Sequence, residues 1–430
     1  MQNRLSTRRL FLQRGLALLA ATPTIPAFLD QTVMAIANPL DAPRVQQPSG
    51  KDGKILVVVQ LSGGNDGLNT VVPFADDTYH KVRPGIRHDP KTLHKLTDSV
   101  ALHPNLRPLL DMFQDGKLAV VQGVGYPNPN RSHFRSMDIW QSAQPEREQP
   151  SSGWVGRFFD NACAGAPGAT PDPHAGINIG PTLPLAMQGE RVMPLSLERP
   201  EAYRYRGADR KRYEALNGIG SPADARVAHG APRQPSTLDF LHRTAMDAQV
   251  SSDDILRVTQ NYQPAGVNYP RGDIGEGLRL VAAMIRGGLS TRVYYVSLGG
   301  FDTHANERGR HDQLMGRFAE AVAAFWSDLK GQKNDERVLM MTFSEFGRRV
   351  AQNASGGTDH GTAAPMFLMG PAVKGGIVGE HPSLTDLDHG DLKYRTDFRS
   401  VYATVLQSWL DTPSKTILGQ QFKLAPVLRV

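Results

Sequence analysis

The sequence has a single cysteine, no long apolar run, no internal repeat and no dense block of basic residues. Cys163 is the only cysteine among 430 residues, so an internal disulfide is excluded and this residue is expected to pack as a small hydrophobe. No segment approaches about 20 uninterrupted apolar residues, so we predict no transmembrane span. The net charge of +6 is not gathered into a patch, which argues against a nucleic-acid partner.

The N-terminus has the features of an export signal. Paired arginines in Thr7–Leu12 precede a moderately apolar run at residues 15–21 and the A-x-A pattern Ala35–Ala37. This arrangement resembles a twin-arginine signal, with an ordinary secretory signal as the alternative. We expect residues 1–37 to be a signal peptide removed near Asn38, after the twin-arginine export machinery has delivered a folded protein to the periplasm or the medium.

Beyond a flexible lead-in at residues 38–53, the chain alternates strand-like runs with amphipathic helices. Lys54–Leu61, Val293–Leu298 and Val338–Phe343 are apolar runs typical of parallel strands buried on both faces. The alternation predicts one α/β domain over residues 54–430, with a doubly wound, mostly parallel sheet flanked by helices. The Pro- and Gly-rich region at residues 164–263 is predicted to be an inserted cap. Predicted helices include Ser132–Ser142, Trp154–Cys163, stripes beginning at Leu106, Ile274 and Leu314, and Asp397–Leu410.

Carboxylates and imidazoles adjoin several of these strands. Ligands of α/β proteins bind in the crevice outside the carboxyl ends of the parallel strands, so these side chains are expected to share one site. Asp oxygens combined with His nitrogens suit zinc, manganese or iron. We therefore predict a divalent metal, zinc or manganese, with ligands drawn from Asp66, Asp302, His304, Glu345, Asp359 and His360.

Each of these residues also has a structural interpretation. Asp302 could cap the turn that follows its strand, with His304 as a satisfied structural histidine. Glu345 could cap the next helix, with a neighbouring arginine as its salt partner. Asp66 could form an Asx turn beside Gly67.

Ser132 is the candidate nucleophile. It lies at a predicted helix start, where free N–H groups favour a bound anion. A metal that lowers its pKa would let Ser132 attack a phosphoryl or sulfuryl centre. Arg131 would hold the anion's oxygens and His133 would assist. Alternatively, Ser132 only caps the helix.

Five motifs stand out along the chain, namely Leu61–Thr70, Arg131–Phe134, Gly300–His304, Ser344–Arg348 and Thr358–Gly361. Together they resemble the bacterial exported family called domain of unknown function 1501, which is placed in the alkaline phosphatase/sulfatase superfamily. The resemblance implies an alkaline-phosphatase-like fold with a metal site at the strand ends. It matches Asp66 to the Asp after the first strand, Ser132 to the nucleophile, and Asp302, His304, Asp359 and His360 to the later ligands. Asp302 and His304 are two residues apart, whereas phosphatases of the superfamily usually space this pair by four.

The expected function is that of an exported metal-dependent hydrolase of phosphate or sulfate esters, acting on a small anionic ester. The alternative is a non-catalytic exported binding or assembly protein, with a protein partner, on a degenerate hydrolase fold. A third possibility is a structural protein stabilised by a metal that never meets a substrate.

Overall fold

The computed structural model describes residues 53–163, 173–202 and 253–429. The signal peptide, nearly all of the lead-in and part of the cap that the sequence predicts lie outside these ranges. Within the described ranges, no helix has the length and apolar character needed to cross a bilayer.

A nine-stranded sheet forms the centre of the described chain. Its spatial order is β8-β2-β7-β6-β1-β5-β3-β4, and β9 pairs with the end of β2. All of these pairings are parallel except those of β7, which runs antiparallel to both neighbours. The strands are β1 Ile55–Ser62, β2 Leu118–Gly125, β3 Gly176–Ile179, β4 Leu195–Leu197, β5 Val293–Gly299, β6 Val338–Phe343, β7 Ala364–Met369, β8 Gly376–Val378 and β9 Thr396–Asp397.

Helices cover both faces of the sheet. Along β1, Ile55 and Val57 contribute to one buried core, whereas Leu56 and Val58 contribute to the other. A strand with a core on each side has no polar face, which explains its continuous apolar sequence. The predicted fold class is confirmed. The helices are α1 Gly67–Thr70, α2 Asp77–Val82, α3 Arg107–Gln114, α4 His133–Ser142, α5 Trp154–Cys163, α6 Asp273–Arg286, α7 Glu307–Gln332, α8 Phe398–Thr404 and α9 Ser414–Leu418.

Part of the region predicted as an inserted cap instead extends the sheet. Strand β3 pairs with β5 and with β4, all in parallel. Residues 203–252 lie outside the described ranges, so the cap prediction stays a prediction there. Two small sheets lie outside the main one, formed by Val71–Val72, Ala101–Leu102 and His94–Lys95, and by Leu387–Asp388 and Asp391–Leu392.

The direction of the strands brings distant loops to one edge of the sheet. Ser62 at the end of β1 pairs with Gly299 at the end of β5, and Phe343 at the end of β6 pairs with Gln60. Because β7 runs antiparallel, the residues that precede it lie at the same edge as those that follow β5 and β6. The loop after β2, which leads into α4, leaves the sheet at this edge as well.

Candidate metal centre

Four side chains from three of these segments converge at this edge. Oδ1 of Asp302 lies 3.1 Å from Nε2 of His304, 3.2 Å from Nε2 of His360 and 3.6 Å from Nε2 of His133. The Nε2 atoms of His304 and His360 are 2.9 Å apart. Ligands held about 2.1 Å from an ion in a tetrahedron lie about 3.4 Å from one another, which is close to the distances from Asp302 to the three imidazoles. The ligand atoms of His133, Asp302 and His360 all lie within 4.8 Å of one another and could share one small cation, with His304 beside them.

In each of the three imidazoles, the Nδ1 atom contacts an oxygen atom of another residue. The partner of His133 is Oε1 of Glu345, at 2.9 Å. The partner of His304 is Oδ1 of Asp359, at 3.3 Å, and that of His360 is the carbonyl oxygen of Arg131, at 2.8 Å. Carboxylate and carbonyl oxygens only accept hydrogen bonds, so a proton on each Nδ1 atom satisfies these three contacts and leaves the lone pair of each Nε2 atom free for an ion.

This protonation pattern makes the cluster a receptor for positive charge. With hydrogen on Nδ1, each neutral imidazole presents the lone pair of Nε2 to the carboxylate of Asp302. Facing acceptors at 2.9–3.6 Å repel one another unless added protons or a cation lie among them. Imidazoles fixed by carboxylates or carbonyls through the other nitrogen are the usual setting of protein metal ligands. The donor set therefore fits a divalent ion.

Asp302 is kept ionised by its neighbours. Partial burial raises the pKa of its carboxyl group, but the hydrogen bond from Arg348 and the interaction with the His360 side chain outweigh burial and lower the pKa to about 2. The Nη2 atom of Arg348 donates to Oδ1 of Asp302 at 2.8 Å. The carboxylate thus stays charged at any pH at which the imidazoles are neutral.

Arg348 ties the loops of the centre together. Its side chain is fully buried, and its guanidinium donates to the carbonyl oxygens of Gly64, Phe301 and Thr358 at 2.7, 2.8 and 3.0 Å. These carbonyls belong to the loops after β1 and β5 and the loop before β7. A single buried cation therefore sets the positions of three loops relative to one another.

Two glycines permit the backbone contacts between these loops. Gly63 has a φ of +119°, and a Cβ atom there would lie 2.5 Å from the amide nitrogen of Asp302. A Cβ atom on Gly357 would lie 2.3 Å from the carbonyl carbon of His304. Both separations are far inside van der Waals contact, so residues without a side chain are required at these positions.

The converging side chains are accessible to solvent, whereas Glu345 and Phe346 beside them are buried. The side chains of Asp302 and His304 are 46% and 45% exposed, whereas that of Glu345 is 1% exposed. The buried ring of Phe346 packs against His133 and His360, with centroids 4.9 and 4.6 Å apart. A ligand can therefore reach the converging atoms, while the groups that orient them are shielded.

Asp66 does not join the cluster. Its carboxyl group is fully buried, forms an ion pair with Arg83 and accepts a hydrogen bond from the amide of Leu68 at the start of α1. Arg83 also donates to the carbonyl oxygens of Val350 and Arg349 at 2.7 Å each. The positive charge beside Asp66 is thus a guanidinium of the same chain, and the role of Asp66 as a metal ligand stays a prediction.

Glu345 and Asp359 occupy different roles from those predicted. Both were expected to be ligands, but each faces the Nδ1 atom of a histidine. Glu345 does not cap a helix either, because residues 344–363 form loops and isolated bridges. In contrast, His133, predicted as a catalytic assistant, contributes one of the four converging atoms.

Ser132 and Arg131 lie beside the cluster. Ser132 is the exposed N-cap residue of α4, and its hydroxyl makes no capping hydrogen bond. The Nε atom of Arg131 lies 2.9 Å from Oδ2 of the buried Asp391. The guanidinium predicted to hold an anion is therefore engaged by a carboxylate, and Arg131 reaches the centre through its carbonyl oxygen.

Arg348, Glu307 and Asn353 support the centre but were not predicted to do so. Asn353 donates to the carboxylate of Asp359 at 3.2 Å and to the carbonyl of His304 at 2.9 Å. In the sequence, Arg348 appears only as a possible salt partner of Glu345, and Glu307 precedes the apolar stripe of its helix. Their pairings depend on loop packing, and no local pattern signals them.

A second group of histidines has the opposite proton arrangement. His88, His103 and Asp312 present close ligand atoms. However, Nδ1 of His103 accepts the amide N–H of Asn105, so its Nε2 carries the proton and donates it to Asp312 at 2.7 Å. This Nε2 has no lone pair to offer, and we interpret the group as part of the folded interior.

The fold and the site define an α/β protein with a histidine-rich candidate metal centre at the carboxyl edge of its sheet. The chain belongs to the family described as "Protein of unknown function (DUF1501)", whose profile matches residues 53–425. The predicted family is confirmed. No curated protein sequence matches the chain.

Three solved structures similar to this chain illustrate how distant the likenesses are. The PsFucS1 sulfatase from Pseudoalteromonas sp. shares 11% identity, with 92% of this chain and 80% of that chain covered and a TM-score of 0.37. A protein in the alkaline phosphatase superfamily from Vibrio parahaemolyticus shares 9%, with 92% and 75% covered and a TM-score of 0.32. The phosphonate monoester hydrolase of Agrobacterium radiobacter shares 11%, with 86% and 78% covered and a TM-score of 0.30. At these TM-scores, the likenesses carry no conclusion about activity.

Proposed function

We propose that the protein is an exported metal-dependent hydrolase of phosphate or sulfate esters. The observation that carries the proposal is the convergence of three Nε2 atoms on the carboxylate of Asp302, with an oxygen acceptor beside every Nδ1 atom. His133, Asp302, His304 and His360 would hold zinc or manganese. The ester class comes from the superfamily that the sequence motifs resemble.

The bound ion would supply a Lewis acid that lowers the pKa of a nearby hydroxyl and draws an anionic ester to the site. Ser132 is the proposed nucleophile because its two neighbours are both anchored to the cluster. The carbonyl of Arg131 accepts a hydrogen bond from His360, and the ring of His133 faces Asp302. The first N–H groups of α4 would stabilise negative charge beside the hydroxyl.

We propose a single ion rather than a pair. The carboxylate of Asp66, which the sequence offers as a further metal ligand, is neutralised by the buried guanidinium of Arg83. This same observation favours the second candidate function, a non-catalytic binding protein that retains one ion on a hydrolase-like fold and recognises an exported partner.

Metal analysis of the purified protein tests the centre. We expect about one equivalent of zinc or manganese in the wild type and its loss in Asp302→Ala and His304→Ala. His389→Ala is the matched control, because its side chain is 88% exposed and faces Asp388. A wild type that neither retains nor binds a stoichiometric divalent ion would exclude the metal centre.

Ester hydrolysis separates the two candidate functions. The metal-loaded protein is expected to cleave p-nitrophenyl phosphate or p-nitrophenyl sulfate, and removal of the ion is expected to abolish cleavage. Stoichiometric metal binding without cleavage of a broad panel of phosphate and sulfate esters would favour the binding protein.

Export is proposed from the paired arginines and the A-x-A pattern, which lie outside the described residues. N-terminal sequencing of the periplasmic protein is expected to begin near Asn38. Replacement of Arg8 and Arg9 by lysine is expected to retain the precursor in the cytoplasm. Unchanged export of that variant would argue for an ordinary secretory signal.

A further inference from the structure

Glu307 links the two loops that carry three of the converging side chains. It is the first residue of α7, and its side chain is completely buried. Its Oε2 atom accepts hydrogen bonds from the hydroxyls of Thr303, at 3.2 Å, and Thr358. Thr303 lies between Asp302 and His304, and Thr358 lies two residues before His360. One carboxyl oxygen therefore joins both loops.

The same carboxyl group reaches the first loop of the sheet edge. Its Oε1 atom accepts the side-chain amide of Asn69 at 3.3 Å, and the carboxyl groups of Glu307 and Asp66 are close enough to shift the pKa of each other. A proton on one of the two groups would remove their repulsion and allow a hydrogen bond between them. Asp66 is ion-paired with Arg83, so the proton belongs to Glu307.

We propose that Glu307, as a buried carboxylic acid, is the positioning residue that sets the spacing of the ligand-bearing loops. The inference rests on the proposed metal centre, although Glu307 itself touches none of the four converging atoms. Its hydroxyl group would donate to Asp66, while its oxygens accept from both threonines. Arg348 fixes the backbone of the same loops through their carbonyl groups, and Glu307 fixes them through their side chains.

The surroundings of Glu307 favour the protonated form. Burial raises the pKa of its carboxyl group, the charge and the hydrogen bond of Asp66 raise it further, and Arg83 lowers it, with a result of about 9. Above that pH, the ionised group would face the carboxylate of Asp66 without a shared proton. The two groups would repel each other, and the loops held by Glu307 would separate.

The test compares Glu307→Gln with Glu307→Ala. A glutamine amide can donate to Asp66 while its oxygen accepts from a threonine, as the protonated acid does, whereas alanine can do neither. We expect zinc affinity, measured by chelator competition at pH 7.5, to stay within about threefold of wild type in Glu307→Gln. In Glu307→Ala, it should fall about 10–100-fold, the usual effect of losing support behind metal ligands. Glu320→Ala, which removes an exposed acid from the same helix, is the matched control.

A pH series supplies a measurement that does not depend on the alanine variant folding. Wild-type zinc affinity is expected to fall above about pH 9 relative to that of Glu307→Gln, which has no proton to lose at this position. The inference would be overturned if Glu307→Ala bound zinc as tightly as the wild type does. It would also be overturned if the zinc affinities of the wild type and Glu307→Gln changed with pH in parallel. A wild type that binds no zinc would instead overturn the proposed function.

Discussion

Oε1 of Glu345 accepts two hydrogen bonds, from Nδ1 of His133 at 2.9 Å and from the amide of Gly63 at 2.8 Å. The amide fixes the carboxylate, and the carboxylate fixes the imidazole. The loop after β1 thus orients the His133 side chain on α4 through its backbone, because Gly63 and Gly64 have no side chains. We therefore expect the carboxylate of Glu345 to affect the metal affinity of the centre without binding the ion itself.

Glu345→Gln should therefore lower zinc affinity about 10–100-fold, because an amide is a weaker acceptor for the Nδ1 proton and leaves His133 less basic. Chelator competition at pH 7.5 measures the effect. The exposed Glu320→Gln on α7 is the control and should retain wild-type affinity. Equal affinities for Glu345→Gln and wild type would show that His133 does not depend on this contact.

Ser132→Ala should abolish ester cleavage while metal content stays at the wild-type level. Its hydroxyl makes no capping hydrogen bond, so the substitution removes a reactive group with little structural loss. We expect kcat to fall by at least about 10³-fold, as for the loss of a covalent nucleophile. The exposed Ser151→Ala serves as the control. Undiminished cleavage by Ser132→Ala would assign the attack to another group.

Asp66 and Arg83 form a buried ion pair whose interruption should be costly. Asp66→Ala leaves the guanidinium of Arg83 without its carboxylate in a fully buried site, and we expect about 3–5 kcal/mol of destabilisation. Denaturant unfolding of the two single variants and the double variant Asp66→Ala/Arg83→Met measures the coupling. The double variant should lose less than the two single losses combined, and additivity would contradict the pairing.

Three buried histidines should make stability depend on acid pH. Burial lowers the pKa of His88 to about 2 and that of His311 to about 3, and it also lowers the pKa of His103. In the unfolded chain these groups titrate near pH 6.5, so below that pH the unfolded state binds more protons and stability falls as pH falls. His88 and His311 together should contribute about 3 kcal/mol per pH unit near pH 5, and His103 should act in the same direction.

Denaturant unfolding between pH 7.5 and pH 5 measures this dependence. Neither ring nitrogen of His88 has a hydrogen-bond partner among the described residues, so His88→Leu is expected to fold and to reduce the slope by about one proton. The exposed His389→Leu should leave the slope unchanged. Equal slopes for wild type and His88→Leu would mean that His88 is not the neutral group described above.

The long strands and the place of the site could be predicted because their signals are local. β6 and β5 are mostly apolar runs with one serine or threonine each, and the residues that follow them carry candidate ligands. Strands β3 and β4 were missed because they have only four and three residues and lie in a Pro- and Gly-rich region. Their membership in the sheet comes from pairing with β5, which is a tertiary interaction.

The roles of individual residues in the site were harder to predict than the position of the site in the fold. A carboxylate that binds an ion and one that holds the far nitrogen of an imidazole differ in position by a few ångströms, and the sequence around Asp302 and Asp359 does not distinguish them. The ion pair of Asp66 was not predicted, because its partner Arg83 lies at the end of another helix and is brought near only by folding.

The four converging side chains span positions 133 to 360, more than half the length of the chain. During synthesis, the set stays incomplete until His360 has left the ribosome, and a product that stops earlier lacks part of it. Occupancy of the centre would accordingly mark finished, folded molecules. A transport route that accepts only folded cargo would carry the same molecules. The ion would then cross the membrane inside the protein and would not have to be bound after export.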